Sequence, residues 1–195
     1  MSASERLREA SSWNRVVSQL AIAAEKARNE DRPEHFKARA TSGQNEAREE
    51  RPLDISKLFA VLASHDVDFV VIGGVAAQVH GRRRTTMDLD LTPDPDPENL
   101  RRLSEALSEL EASPLDSREG VLFTRHGQIH ILEDPKGARP FEEMRERALV
   151  VDLDGTEVAI VSLDDLIRMK RAAGRPRDVD DIATLAEVER SGRAK

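Results

Sequence analysis

Hydrophobic positions change their spacing several times along this chain, and each change marks an element. Over "SSWNRVVSQLAIAAEKA" (Ser11–Ala27), Trp13, Val16, Val17, Leu20 and Ala24 recur at helical spacing and predict a helix. Arg28–Pro52 carries Phe36 as its one large apolar residue among charges of both signs. Such a stretch buries too little to offset its ordering entropy, so it reads as a flexible linker. From Leu53 onward helical and strand-like patterns alternate. "DISKLFAVLASH" predicts a helix capped by Asp54, with Ile55, Leu58, Phe59 and Leu62 facing inward. "DFVVIG" is a β-branched apolar run of the kind that fills a central strand. "VAAQVHG" predicts a short helix ended by Gly81, and "MDLDLTP" a strand with Met87, Leu89 and Leu91 directed into the core.

Asp96 and Pro97 supply the N-cap and first position of a helix striped by Leu100, Leu103, Leu107 and Leu110. "GVLFTRHGQIHILEDP" predicts a hairpin turning near His126-Gly127, "RPFEEMRERA" a short helix, and "LVVDLDGTEVAIVS" a second hairpin with Asp-Gly at its tip. Ser162 caps "LDDLIRMKRAA", Gly174 ends it, and Pro176 opens a final helix. The expected architecture is α/β, a small mixed β-sheet flanked by helices over 53–190, with residues 1–52 as an N-terminal helix and charged linker.

Composition narrows the setting. Among 195 residues, 38% are hydrophobic, 34% are charged, and the aromatics are one Trp and five Phe. That balance suits a small core under a heavily charged surface. With no cysteine, disulfides and thiolate metal sites are excluded, and a reducing cytoplasm is the expected location. No apolar run reaches the about 20 residues that span a bilayer, so no membrane partner is expected. A net charge of −7 argues against indiscriminate nucleic-acid binding, yet "GRRRTT" and "RMKRAAGRPR" gather cations locally, where they can meet phosphates.

The chemistry concentrates in "DFVVIGGVAAQVHGRRRTTMDLDL" (Asp68–Leu91). Gly73 and Gly74 follow a strand and open a helix, where the absence of side chains lets backbone N–H groups approach a phosphate. No Gly-Lys-Ser/Thr follows, so this is not a Walker loop. Asp88 and Asp90 lie two apart on a strand, on one face, about 7 Å apart at Cα. Two such carboxylates suit a hard divalent cation such as magnesium. An acidic solvent face is the plainer reading of an isolated Asp-x-Asp; the order strand, Gly-Gly, helix, Asp-x-Asp is more specific.

These residues resemble the nucleotidyltransferase signature, which Gly73, Gly74, Asp88 and Asp90 match one for one. "GGVAAQVHGRRRTTMDLDL" is similar to the AbiEii/MenT-like branch of abortive-infection and toxin proteins, and "LIRMKRAAGRPRDVDDIATL" to that branch's C-terminal segment. The resemblance spans about Asp54 to Leu185. It implies a minimal nucleotidyltransferase fold and transfer of a nucleoside monophosphate from an NTP to an acceptor hydroxyl, with magnesium held by Asp88 and Asp90. Charge adds Lys170 as a compact cation able to reach the triphosphate, with Arg84 and Asp178 beside the nucleotide; the resemblance further implies RNA (especially a tRNA 3′ end) as acceptor and a cognate antitoxin as partner. An antibiotic hydroxyl is the rival acceptor.

One position departs from the pattern. Where a third carboxylate is expected on a later strand, "HGQIHIL" places His130, which adds no negative charge but can act as base or ligand. Glu133 and Asp134 lie nearby, Glu133 with the opposite strand parity. The departure leaves a second reading, a nucleotide-binding module that has lost transfer, and a third, a plain protein-interaction domain. Asp178 and Asp181, one helical turn apart, are expected to pair with Lys170 or a neighbouring Arg. His80 reads as a packing or hydrogen-bonding residue, and at least one of Arg82, Arg83 and Arg84 is expected to face the nucleotide.

Overall fold

The computed structural model describes residues 53–82, 86–114, 120–153 and 155–192. The helix and linker expected over 1–52, and Arg83 and Arg84, lie outside them. Helix α1 (Ile55–Ser64) is followed by β1 (Phe69–Val71), α2 (Gly73–Val79), β2 (Asp88–Pro93) and α3 (Pro97–Glu109). Then come β3 (Ser113–Pro114), β4 (Val121–Thr124), β5 (Gly127–Ile131), α4 (Phe141–Arg147), β6 (Leu149–Leu153), β7 (Thr156–Ile160), α5 (Leu163–Ala173) and α6 (Pro176–Gly192). Among the described residues seven strands form one mixed sheet in the order β3-β4-β5-β2-β1-β7-β6. β1, which leads into the glycines, and β2, which carries the aspartates, are both interior and antiparallel. β2 runs parallel to β5, and β1 parallel to β7.

Local signals set the element ends. Asp54 accepts from the Lys57 N–H at 3.1 Å and caps α1. Asp96 accepts from Glu98 and Asn99, with Pro97 starting α3. Ser162 caps α5 through the Asp165 N–H, and Gly174, at φ +63°, closes it. The apolar stripes then meet the sheet: Leu58, Phe59, Leu62, Leu103 and Leu110 are buried beside Val70, Val71, Leu89, Leu91, Ile129 and Ile160. Phe59 stacks on Phe69 with ring centres 5.9 Å apart, fixing α1 to β1.

The sequence reading needs three amendments. Met87 is 53% exposed rather than in the core, because β2 begins only at Asp88 and strand alternation does not reach back to it. The two-residue β3 escapes any periodicity test, being shorter than one repeat of it. Buried Asn99 sits among the leucines of α3 because its amide satisfies three backbone groups: it accepts from Asp68 N–H at 2.7 Å and donates to Asp68 and Asp94 carbonyls, both at 2.9 Å.

A buried carboxylate ties the other side together. Asp165 is fully buried and accepts from Ser162 Oγ, Arg139 Nε and Arg147 Nε at 2.8, 2.8 and 3.0 Å. Burial pushes its carboxyl up, but the Ser162, Arg139 and Arg147 donors outweigh burial and hold it below the ordinary carboxylate value. It joins α5 to α4 and to the loop before it. No helix among the described residues is long and apolar enough to cross a membrane.

Candidate active site

The ends of β1 and β2, the start of α2 and the α5–α6 pair enclose a cavity of about 550 Å³. The sequence dictates why the chain comes so close together there. Gly73 has φ +66°, and a Cβ on it would stand 1.9 Å from Asp90 Oδ2; one on Gly74 would stand 2.5 Å from Thr86 Oγ1. Only a chain without side chains fits against the Asp90 carboxylate at that point. The Gly74 N–H faces Asp90 Oδ2 at 3.4 Å, and the Ile72 N–H bonds the Asp90 carbonyl at 3.0 Å.

Asp88 and Asp90 share the cavity-facing side of β2 while Leu89 and Leu91 are fully buried on the other, as strand alternation requires. Asp88 Oδ1 accepts from the Thr86 hydroxyl at 2.7 Å. His130 stands directly beside Asp90 in the parallel β2–β5 register, with Nδ1 3.1 Å from Asp90 Oδ1. The strand position expected for a further acid is therefore at the site, occupied by histidine.

Lys170 comes from the opposite wall. It is buried, and its Nζ donates to Asp181 Oδ2 at 2.6 Å and to Asp178 Oδ1 at 3.4 Å. Asp181 also pairs through Oδ1 with Arg82. One carboxylate thus links the lysine of α5 to the arginine that follows α2. Asp178 has the same double use, taking the Arg175 N–H at 3.3 Å. The expected pairing of the aspartates with Lys170 is present. Of the three arginines, at least one of which was expected to face the nucleotide, Arg82 lines the cavity; Arg83 and Arg84 lie outside the described residues. His80 donates Nε2–H to the Val161 carbonyl at 2.7 Å and is structural.

Sequence reasoning passed over two contributors. Thr86 orients Asp88, and a threonine two residues before an acidic strand gives no signal by itself. Exposed Lys136 joins Arg175 and Arg177 at the cavity mouth, but it reaches there by a loop whose path no motif announces.

The donor set can be tested against a divalent cation. Among the described residues no group of three or more His, Asp or Glu side chains is arranged to hold a metal ion. Magnesium does not demand one: it is commonly held by one or two carboxylates, with water and substrate phosphates completing its shell. Two hard oxygen donors on one strand face, beside a glycine backbone open to phosphates, fit that chemistry.

Residues 53–188, well over half of the chain, match the family described as "Nucleotidyltransferase of unknown function (DUF6036)". No protein of curated function matches. An antigenic nucleotidyltransferase-like protein from Paracoccidioides brasiliensis has a similar structure, with TM-score 0.50 and 19% identity over 69% of this chain and 77% of that one. A candidate nucleotidyltransferase from Thermotoga maritima gives TM-score 0.48 and 17% identity over 68% and 90%. The antibiotic-resistance factor ANT(2'')-Ia gives 0.45 and 16% over 72% and 91%. At such identities the likeness is one of fold, and the family rests on the sequence match: this chain is a member of the DUF6036 nucleotidyltransferase family, with an α/β fold around a mixed sheet.

Proposed function

We propose that the protein transfers a nucleoside monophosphate from an NTP to an acceptor hydroxyl. The acceptor oxygen bonds to the α-phosphorus, the bond from that phosphorus to the bridging oxygen breaks, pyrophosphate leaves, and the hydroxyl proton passes to solvent. The observation that carries this reading is the juxtaposition of Asp88 and Asp90 with the bare backbone of Gly73 and Gly74 on one cavity wall. The aspartates would hold magnesium, whose charge, when bound, offsets that of the phosphates. Gly73 and Gly74 admit the phosphates to within backbone reach. Lys170, with Asp178 and Asp181 setting its position, faces them as the fixed cation of the opposite wall, and Arg82 adds a second.

RNA, with a tRNA 3′ end as the leading candidate, is the acceptor we favour. Exposed Lys136, Arg175 and Arg177 gather positive charge at the mouth of a cavity in a chain of net charge −7, the arrangement a polyanion needs for local attraction. The AbiEii/MenT-like resemblance extends this to a toxin restrained by a cognate antitoxin in the cytoplasm. A second reading, nucleotide binding without transfer, is favoured by the histidine at position 130.

The test is labelling. Each α-labelled NTP, with magnesium, is offered to total RNA and separately to aminoglycosides, using wild type and an Asp88→Ala, Asp90→Ala double variant. Label in a discrete RNA band with wild type alone supports the proposal and names the base. Label in the antibiotic names the rival acceptor. Nucleotide binding with no label transferred favours the binding module.

A further inference from the structure

We propose that this site takes a single divalent cation, and that His130 is a positioning residue for Asp90 instead of a ligand. The inference rests on the nucleotidyl-transfer reading and concerns how many ions that reading needs. In two-metal sites the ions sit about 3.5–4 Å apart. Two dications at that distance repel with roughly four times the energy of two single charges, and clustered carboxylates must offset it.

The cavity walls hold few uncommitted carboxylates. Asp178 and Asp181 are bound to Lys170, and Asp181 also to Arg82. Asp134 lines the cavity too, but it is exposed on the loop after β5 and off the strand face that carries the β2 pair. That leaves Asp88 and Asp90. The neighbouring strand could add a third acid at position 130, which the β2–β5 register sets beside Asp90, and the residue there is histidine.

The ring's orientation removes it as a ligand for an ion on Asp90. Nδ1 stands 3.1 Å from Asp90 Oδ1, so its single in-plane bonding direction is already taken by that oxygen and is not aimed at an ion. Nε2 lies across the rigid ring, away from that carboxylate. The adjoining Cδ2 edge faces Gly120, where a Cβ would stand 3.5 Å away. Wedged between Asp90 and Gly120, the imidazole fixes one carboxylate oxygen; Oδ2 takes only the long 3.4 Å bond from the Gly74 N–H and keeps a second lone pair for a cation on the Gly73–Gly74 side.

The experiment uses Mn²⁺, which is visible by electron paramagnetic resonance, with a non-hydrolysable NTP analogue and the full chain. One Mn²⁺ per chain is expected. Its electron-spin-echo modulation should be unchanged when the protein is grown with ¹⁵N-histidine. Two ions per wild-type chain, or a modulation that shifts with the histidine isotope, overturns the proposal. His130→Asp should raise the count to two, and a count that stays at one defeats the claim that this position sets it.

His130→Asn, whose amide can still donate to Asp90, should keep one ion at near wild-type affinity. His130→Ala should bind it about 10–100-fold more weakly, the usual cost of removing a partner that orients a metal ligand. Equal affinity in the two variants, with circular dichroism showing both folded, overturns the positioning role. Wild-type protein that binds no Mn²⁺ at all sinks the nucleotidyl-transfer reading itself and the inference with it, an outcome distinct from a count of two.

Discussion

At the residue scale the decisive contact is between Gly73 and Asp90. A methyl group on Gly73 would overlap the carboxylate at 1.9 Å, and at φ +66° an L side chain is strained even in open space. Gly73→Ala should therefore lose about 1–2 kcal/mol of stability from the left-handed backbone alone. It should also weaken divalent-ion binding by about 10–100-fold, because Asp90 must move. Gly74→Ala makes the milder comparison: its φ is not left-handed, and its Cβ would press on Thr86 at both Oγ1 and Cβ, so the Thr86 segment must shift while Asp90 itself is not displaced. Chemical denaturation and Mn²⁺ titration of the two variants should rank Gly73 well above Gly74 on both measures. Sequence alone marked both glycines, from their place after a strand. It could not separate them, since φ and the approach of a carboxylate from β2 appear only once the strands pair.

At the element scale three buried carboxylates hold helices together, and two were legible. Asp178 and Asp181 were, because they lie one helical turn apart on the helix that follows the one carrying Lys170. Asp165 was not: an acid in the first turn behind a serine cap reads as ordinary helix-end chemistry, and Arg139 and Arg147 reach it from outside α5. Lys170→Met should destabilise the fold by about 3–5 kcal/mol, since Asp178 and Asp181 would remain buried with less compensating charge. Thermal melts would check this, and a restored melting temperature in Lys170→Met combined with Asp178→Asn would tie the loss to unpaired charge.

Asp165→Asn should cost about 1.5–3 kcal/mol at neutral pH, the range for hydrogen bonds to charged groups, as its partly exposed arginines can turn to water. Its pH dependence follows from the direction of the shift. The folded carboxyl titrates below its ordinary value, so its contribution is complete above that value, about pH 4, and is lost as pH falls through the folded pKa. The stability gap between wild type and Asp165→Asn should thus be constant at neutral pH and narrow only below about pH 4. Urea unfolding across pH 2.5–7 would show a gap that closes at high pH instead if the sign were wrong.

At the scale of the whole molecule, alternation of strand and helix patterns was enough to read the α/β class, since apolar periodicity is local and strong from Leu53 onward. The strand order was not legible, because pairing β5 beside β2 depends on contacts about forty residues apart in sequence, and that pairing is what brings His130 to Asp90. The assembled site makes a global measurement diagnostic. A ligand that binds only the folded chain at about 100 times its Kd adds about 2.7 kcal/mol, or a melting-temperature rise of about 5–11 °C for a chain of this size. Magnesium with an NTP analogue should produce such a rise in wild type, while magnesium alone should give less, as phosphates supply part of the ion's shell. Asp88→Asn should abolish most of the rise yet leave the unliganded protein as stable as wild type or more so. Without a cation its carboxylate shares one strand face with that of Asp90, and removing the charge relieves their repulsion while an amide oxygen can still take the Thr86 hydroxyl. A stability gained where binding is lost is the mark of a residue kept for a ligand. If Asp88→Asn instead lowers the unliganded melting temperature and keeps the ligand-induced rise, Asp88 is a structural acid and the cation site on β2 does not exist.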